Sequence, residues 1–226
     1  MTRRFLTPLS TDHVDYNTTS TSDNAEGRLR WDSDYGTLAV GLANGSVELP
    51  IGQKQGAYVK NTSGVNIGKG KAVQFAGAQG GKIEIEKAVA DGSVPSKYMF
   101  GITAEAIDDD GFGFVVTDGY IRGVDTDGIL VGTLLYFDPD TSGELTTTQP
   151  SNGNITIPVA VVTFSSQSAG VIFVRMNIES SLNEIEGVNV SSLADGDVLT
   201  YNSSASAWSN AQPEVNFVPQ LLMGGM

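Results

Sequence analysis

From Gly101 to Arg175 the sequence reads GITAEAIDDDGFGFVVTDGYIRGVDTDGILVGTLLYFDPDTSGELTTTQPSNGNITIPVAVVTFSSQSAGVIFVR. Short runs rich in Val, Ile, Phe, Tyr and Thr alternate with Asp-Gly, Ser-Gly and Asn-Gly pairs, spaced about 8–12 residues apart. This rhythm is typical of short antiparallel strands and not of a parallel sheet covered by helices. No glycine-rich loop leads into a helix, so the stretch predicts a compact antiparallel β-barrel or sandwich without a nucleotide site.

The strands predicted within this stretch are Phe112–Thr117, Gly119–Val124, Thr133–Asp138, Glu144–Thr148, Ile157–Phe164 and Gly170–Arg175. Turns separate them at Asp118-Gly119, at Pro139–Gly143 and at Ser165–Ala169. Towards the N-terminus, residues 27–51 predict a β-meander, in which Asn44-Gly45 is the strongest hairpin signal. Further strands are predicted at Ala57–Asn61, Lys71–Ala76 and Lys82–Ala90, with a short helical turn near Pro95–Tyr98.

The two ends of the chain differ from this centre. Residues 1–26 are polar, and they predict an extended arm that orders against a partner or a neighbouring copy. After the central stretch, Ser180–Gly187 is the best helix candidate, and the strands Asp197–Tyr201 and Ala207–Asn210 predict a small β module. The last residues, EVNFVPQLLMGGM, are apolar, so we expect them to pack on another subunit or another protein. The candidate docking residues are therefore Arg3, Arg4, Phe5, Leu6 and Leu9 in the arm, Trp31 in the first strand, and Phe217, Leu221, Leu222 and Met223 in the tail.

The charge of the chain bears on which partners it can bind. The 226 residues carry a formal net charge of -13, and the Lys and Arg residues are scattered apart from Arg3-Arg4 and Arg28-Leu29-Arg30. Because binding to nucleic acid or an anionic membrane needs a basic patch, we expect neither partner. Charged residues make up only 17% of the chain, where about 25% is usual. This favours a protein that hides surface in an oligomer.

No apolar run follows the N-terminal arginines, so we expect synthesis in a cytoplasm without a secretory signal.

No catalytic, cofactor or metal site is predicted. The chain has no Cys, and its one histidine, His13, lies in the polar arm, where a nucleophilic triad is not expected. Gly64–Lys71 resembles a phosphate-binding loop but lacks its spacing and its helix, so it predicts a β-turn. Asp138–Gly143 matches the opening of an EF-hand loop, but Gln149 stands where a bidentate Glu is needed. The acidic loops Asp108–Asp110 and Asp125–Asp127 are interpreted as solvated loops, with an adventitious cation site as the alternative.

One segment resembles a known family. Glu26–Gln55 reads EGRLRWDSDYGTLAVGLANGSVELPIGQKQ and is similar to a hairpin module of tailed-bacteriophage virion proteins of the tail fibre or appendage type. The residues that carry the resemblance are Gly27, Trp31, Gly36, Thr37, Leu38, Gly41, Leu42, Gly52 and Gln55. Later phrases, among them LLYFDPDTSGELTTTQP and SLADGDVLTYNSSASAWSN, extend it over roughly residues 25–210. Family members commonly run on for hundreds of residues to a receptor-binding tip, and the end at Met226 makes us expect an adaptor, a short appendage or a capsid-attached fibre.

The resemblance implies a non-enzymatic virion structural protein made in the bacterial cytoplasm. We expect a homotrimeric short fibre or tail or neck appendage, with other virion proteins of the tail, neck or capsid as partners. The expected organisation is an arm at 1–26, a meander at 27–51, a central barrel or sandwich at 52–177 and a C-terminal part at 178–226. A capsid decoration protein is the alternative function. A carbohydrate-binding or carbohydrate-active module that meets a host surface glycan is the third hypothesis.

Overall fold

A computed structural model describes residues 12–19, 24–151, 154–176, 182 and 185–213. The chain divides into two compact units, Met1–Ile178 and Glu179–Met226. Strands of the first unit are β1 (Leu29–Asp32), β2 (Thr37–Gly41), β3 (Glu48–Pro50), β4 (Lys54–Asn61), β5 (Ala72–Gln79), β6 (Lys82–Lys87), β7 (Met99–Thr103), β8 (Phe112–Val124), β9 (Leu134–Phe137), β10 (Leu145–Thr146), β11 (Pro158–Phe164) and β12 (Gly170–Arg175). Those of the second unit are β13 (Val188–Asn189), β14 (Val198–Asn202) and β15 (Ala207–Ala211).

The predicted meander forms a three-stranded antiparallel sheet in the order β1-β2-β3. Asn44 and Gly45, which join β2 to β3, have φ angles of 68° and 67°. Asn and Gly are the residues that accept this left-handed conformation most readily, and the hairpin prediction is confirmed. Asn24, which precedes β1, is bound to this turn, because its Nδ2 donates to the carbonyl oxygens of Gly45 and Val47 at 2.9 and 3.1 Å.

Five strands close into a barrel. The order is β8-β4-β6-β5-β7, and β7 pairs again with β8. Val59, Val73, Ile85 and Val115 of these strands form a fully buried cluster with Ile67 and Ile107, which pair with each other in an isolated β-bridge. The predicted alternation in β6 is seen, since Ile85 is fully buried in this cluster and Ile83 packs against it. The expectation of a mostly β fold with a barrel is confirmed.

An outer sheet continues from the same long strand. β8 pairs with β4 through its first half and β12 through its second, and β11, β9 and β10 follow. A second core lies between the outside of the barrel and this sheet, and includes Phe114, Val116, Phe137 and Ile172. Because Val115 points into the barrel while its neighbours point into the second core, both faces of β8 are buried. The strand thus joins the two layers of the first unit.

Three sequence predictions differ from the structure in detail. The turn predicted at Asp118-Gly119 is wrong, because β8 runs without interruption from Phe112 to Val124. Gly119 takes a φ of 117° and pairs with Lys54 on one side and Val174 on the other, so long-range pairing overrides the local turn signal. Two pairs, β4–β6 and β13–β15, are parallel in an otherwise antiparallel fold. The strand predicted at Glu144–Thr148 shortens to β10.

The second unit contains a small sheet in the order β13-β15-β14. Its strands and the turn at residues 202–206 agree with the predicted module. Half of the helix predicted at Ser180–Gly187 lies outside the described residues, and residues 185–187 form a bend and a turn. Within the described parts of the chain, no helix has the length and apolar character needed to cross a membrane.

Candidate functional site

A polar seam joins the meander to the barrel. Arg30 of β1 reaches Glu48 of β3 and the buried Asp32, with Nη2 to carboxylate oxygen distances of 2.5 and 3.3 Å. Lys54, at the start of β4, donates its Nζ to the carbonyl oxygen of Glu48 at 2.9 Å. These side chains surround a cavity of about 200 Å³. Burial, reinforced by the charge of nearby Lys69, lowers the pKa of Lys54 to about 8.

A group of aromatic rings lies next to the polar seam. The Arg122 guanidinium of β8 lies 4.6 Å from the ring centroid of Tyr35, and its Nε donates to the Tyr35 hydroxyl at 2.8 Å. The ring of Tyr35 is 5.4 Å from that of Tyr120, which meets Phe173 edge to face at 4.9 Å. A cation over an aromatic face is attractive by about 0.5–2 kcal/mol. The stack therefore fixes the turn between β1 and β2 against β8 and β12.

A cleft of about 570 Å³ opens beside this stack and is lined by Asp34, Gln53 and Phe164 in addition to Tyr35 and Arg122. The rings of Tyr35 and Tyr120 already contact each other, Arg122 lies over Tyr35, and Asp34 lies 3.6 Å from Arg122. These partners leave the cleft few groups that are placed to meet a ligand. Its residues instead connect the turn between β1 and β2 to β8.

The acidic loops are held by internal contacts. Asp138 Oδ1 accepts hydrogen bonds from the backbone nitrogens of Asp140 and Thr141 at 2.8 and 3.1 Å, which shapes the hairpin loop between β9 and β10. Asp110 pairs with Lys60 at 2.9 Å. In the parts of the chain that the structure describes, no group of three His, Asp or Glu side chains is arranged to hold a metal ion. Gly64–Lys71 leads into β5 rather than into a helix, as its interpretation as a turn requires.

An apolar rim, defined here as Leu130, Val131, Leu134 and Phe164, lies at one end of the outer sheet. The side chains are 79%, 63%, 48% and 52% exposed. The backbone nitrogen of Gly132 donates to Val162, and Thr126 Oγ1 donates to the carbonyl oxygen of Phe164, both within 3.0 Å. These bonds hold the loop after β8 against the end of β11. The backbone that carries these four exposed side chains is therefore held in place by hydrogen bonds.

In the second unit, strand pairing places several apolar side chains on one face of the small sheet. Tyr201 lies opposite Trp208, Leu199 opposite Asn210, and Val188 beside Trp208 in the parallel pair. The Tyr201 and Trp208 rings are 5.4 Å apart and meet edge to face. We call Val188, Leu199, Tyr201 and Trp208 the aromatic face. Leu199, Tyr201 and Trp208 are 43%, 50% and 46% exposed.

Of the predicted docking residues, the structure places Trp31. It lies half-buried in β1, opposite Leu38 of β2. The other nine lie outside the described residues: Arg3, Arg4, Phe5, Leu6, Leu9, Phe217, Leu221, Leu222 and Met223. The docking role of all ten remains a prediction.

Sequence reasoning missed the seam and the rim. The sequence predicts residues 27–51 only as a meander, and it presents Arg122 only as one of the scattered cations. Nothing in the local pattern links Tyr35 to Arg122, because their contact depends on β4 and β8 being paired. The rim had a visible signal, since Leu130 and Val131 are apolar residues within a loop between two predicted strands.

Comparison with known proteins gives distant structural likenesses only. No protein-family model matches the sequence, and no curated protein matches it. Among solved structures, the chain is similar to the N base of head fiber gp8.5 in bacteriophage phi29, at 14% identity and a TM-score of 0.34, over 57% of this chain and 98% of that one. It is also similar to the capsid of Myoviridae phage XM1, at 15% identity and a TM-score of 0.37, over 74% of this chain and 98% of that one.

Proposed function

We propose that this chain is a non-enzymatic bacteriophage virion structural protein, a short fibre or a tail or neck appendage. It assembles as a homotrimer and docks on other virion proteins through its terminal arms. The observation that carries the proposal is the apolar rim, in which four large apolar side chains at one end of the outer sheet are about half exposed or more. Such a surface favours contact with another protein chain.

The sequence and the fold support the same proposal in other ways. The resemblance of Glu26–Gln55 to phage fibre modules falls on β1, β2, β3 and the turns that join them. A charged fraction of 17% suits a chain that buries part of its surface in an assembly. The rigid seam gives the meander and the barrel one fixed arrangement, so contacts made by either can position the whole unit.

Mass and shape in solution are the first test. Sedimentation velocity on the purified chain is expected to give a species near three times 23.8 kDa. Replacing Leu130 and Val131 by Ser is expected to weaken its association or its incorporation into particles. The matched control replaces Thr147 and Thr148, which are exposed polar residues of another loop, by Ser. A wild-type chain that is a compact monomer and is missing from particles would overturn the proposal.

Docking through the arm is tested on particles of the phage that encodes the chain. Deleting residues 1–23 retains Asn24 and its two bonds to the meander, so the thermal unfolding of the first unit should not change. Mass spectrometry of purified particles is expected to show that the truncated protein is absent. Copy number in the same experiment separates an appendage, with a few dozen copies at most, from the alternative of capsid decoration, with hundreds. Truncated protein at wild-type abundance would contradict the docking role of the arm.

A further inference from the structure

Two lysines at the cavity in the polar seam have no carboxylate partner. Lys54 and Lys69 both line this cavity of about 200 Å³. Lys54 Nζ donates to the carbonyl oxygen of Glu48, a neutral group, at 2.9 Å. Much of Lys69 is exposed, but a Cβ on Gly123 would lie 3.3 Å from its Nζ, so the ammonium lies against β8. In the described residues, neither ammonium has a carboxylate within the roughly 4 Å of an ion pair.

The carboxylates that line the cavity are already paired with the two arginines there. Arg30 Nη2 reaches Asp32 at 3.3 Å and Glu48 at 2.5 Å. Asp34 lies 3.6 Å from Arg122 Nη2. The charge of these three carboxylates is therefore directed to the guanidinium groups, and the two lysines are left with unused donors at the same cavity.

One further carboxylate, Glu105, acts on Lys69 from beyond ion-pair distance. Its oxygens accept hydrogen bonds from Ser46 Oγ and from the backbone nitrogen of Phe114. Burial lowers the pKa of Lys69, and the charge of Glu105 only partly opposes this. Burial also lowers the pKa of Lys54, to about 8. Folding therefore leaves both ammonium groups less well stabilised than water does, and a bound anion would reverse this.

We propose that this cavity binds a small divalent oxyanion, for which inorganic sulfate and phosphate are the model ligands, between Lys54 and Lys69. Lys54 Nζ has three protons to donate, and Glu48 accepts one of them. Tyr35 also lines the cavity, and its hydroxyl accepts from Arg122 Nε and so keeps its own proton to donate. Several donors at one cavity suit the oxygens of a tetrahedral oxyanion, since charge-assisted hydrogen bonds are the strong ones.

The cavity has the size and the position for such an ion. Its volume is several times the roughly 30 Å³ that one water molecule occupies in the liquid. Tyr35 belongs to the turn between β1 and β2, Lys54 begins β4, and Lys69 lies in the loop before β5. An ion that binds only when these parts are in place stabilises the folded first unit by mass action. This role goes beyond the proposed assembly and does not depend on it.

Isothermal titration calorimetry of the full-length chain with sodium sulfate at pH 7 tests the site, with NaCl at matched ionic strength as the reference. We expect a single sulfate per chain. Lys54→Met and Lys69→Met should each weaken binding by about tenfold or more, because each removes a charge-assisted hydrogen bond. Lys97→Met is the matched control, since Lys97 is exposed and lies outside the cavity, with its Nζ 5.8 Å from the ring centroid of Tyr98. It should leave the affinity within about twofold.

The pH dependence of sulfate binding is a second readout that uses the wild-type chain. Lys54 loses its proton as the pH rises through about 8, so the affinity should fall about tenfold or more between about pH 7 and pH 9.5. In Lys54→Met the fall should be smaller, and part should remain because burial also lowers the pKa of Lys69. The other charged residues that line the cavity are Arg30, Asp32, Asp34, Glu48, Lys69 and Arg122.

Three results would overturn the site. One is sulfate binding that Lys54→Met and Lys69→Met leave unchanged. Another is a heat that NaCl reproduces at the same ionic strength, which would mean an adventitious ion only. The third is an affinity that does not fall as the pH is raised. If Lys54→Met does not fold, Lys69→Met and the wild-type pH profile still decide. The oligomeric state and the presence of the chain in particles test the proposed function separately, because sulfate binding needs neither.

Discussion

Asn61 is a fully buried amide whose hydrogen bonds hold two loops of the barrel together. Its Nδ2 donates to the carbonyl oxygens of Val65, Ile107 and Asp108 at 2.8 to 3.1 Å. Its Oδ1 accepts from the backbone nitrogen and the hydroxyl of Ser63. Where β4 ends, the side chain therefore supplies hydrogen bonds that strand pairing no longer makes. Both the amide nitrogen and the amide oxygen take part.

Replacing Asn61 by Ala removes all of these bonds from a fully buried position and leaves the backbone nitrogen of Ser63 without its acceptor. We expect the free energy of unfolding to fall by about 2–4 kcal/mol, measured by urea denaturation. The control is Asn66→Ala in the same loop, where the exposed side chain accepts one bond from the nitrogen of Asp109. That change should cost less than about 1 kcal/mol. Equal losses for the two variants would mean that burial of Asn61 contributes nothing.

Lys54 makes stability depend on pH in the alkaline range. Burial lowers its pKa from 10.5 to about 8, with Glu48, Asp32, Lys69 and Arg122 as its charged neighbours. Between these two values the unfolded chain binds a proton that the folded chain does not. Since stability rises with pH wherever the unfolded state binds more protons, the free energy of unfolding should rise between about pH 8 and pH 10.5.

The measurement is urea denaturation at several pH values for the wild type and for Lys54→Met. The rise should be smaller in the variant, and some should remain because burial also lowers the pKa of Lys69. Burial raises the pKa of Tyr35, which acts in the opposite direction above about pH 10. The difference between the two curves isolates Lys54. A parallel pair of curves would show that Lys54 is not desolvated in the folded protein.

At the scale of elements, the close approach of β4 and β8 depends on a glycine. The ladder between them shifts register between Gln55 and Gly56. A Cβ on Gly56 would collide with the carbonyl oxygen of Val115 and would lie 2.8 Å from the ring of Phe114. The absence of a side chain at Gly56 therefore allows β4 to pair closely with β8, the strand that the barrel shares with the outer sheet.

Gly56→Ala should force these strands apart and lower the free energy of unfolding by about 1–3 kcal/mol. Gly68→Ala is the control, because there an added Cβ would meet only the flexible side chain of Lys71 at ordinary contact distances of 3.7 and 3.8 Å. Thermal unfolding of the two variants gives the comparison. If Gly56→Ala is as stable as Gly68→Ala, the strands can separate without loss and the shared strand is not a rigid joint.

Local signals in the sequence were sufficient for most strand positions and for the hairpin at Asn44-Gly45. They were insufficient wherever pairing between distant strands decides the outcome. Asp118-Gly119 has the composition of a turn, yet pairing with β4 and β12 keeps Gly119 within one continuous strand. Closure of the barrel needs β4 beside β6 and β7 beside β8, and no property of Lys54–Asn61 alone specifies those neighbours. For the same reason the contact of Tyr35 with Arg122 cannot be predicted from either local stretch of sequence.

For the whole molecule, acidic charge and apolar surface act in opposite directions on the proposed association between copies. The first unit has two cores of its own, and it exposes the apolar rim. The second unit has almost no core among its described residues, and it exposes the aromatic face. Both surfaces belong to a chain with a net charge of -13, so long-range repulsion opposes the contacts that these surfaces favour.

This opposition predicts how the assembly responds to salt. The Debye length falls from about 30 Å at 0.01 M to about 8 Å at 0.15 M ionic strength, so salt screens the repulsion between copies. The apolar contacts do not weaken over this range, because they carry no charge. We therefore expect the association constant from sedimentation equilibrium to rise about tenfold or more between 10 and 150 mM NaCl. Sucrose at matched osmolality is the control for solvent effects unrelated to charge, and it should give a much smaller change. An association constant that falls with salt would mean that ion pairs hold the copies together, and the seam or the acidic loops would then replace the apolar surfaces as the contacts.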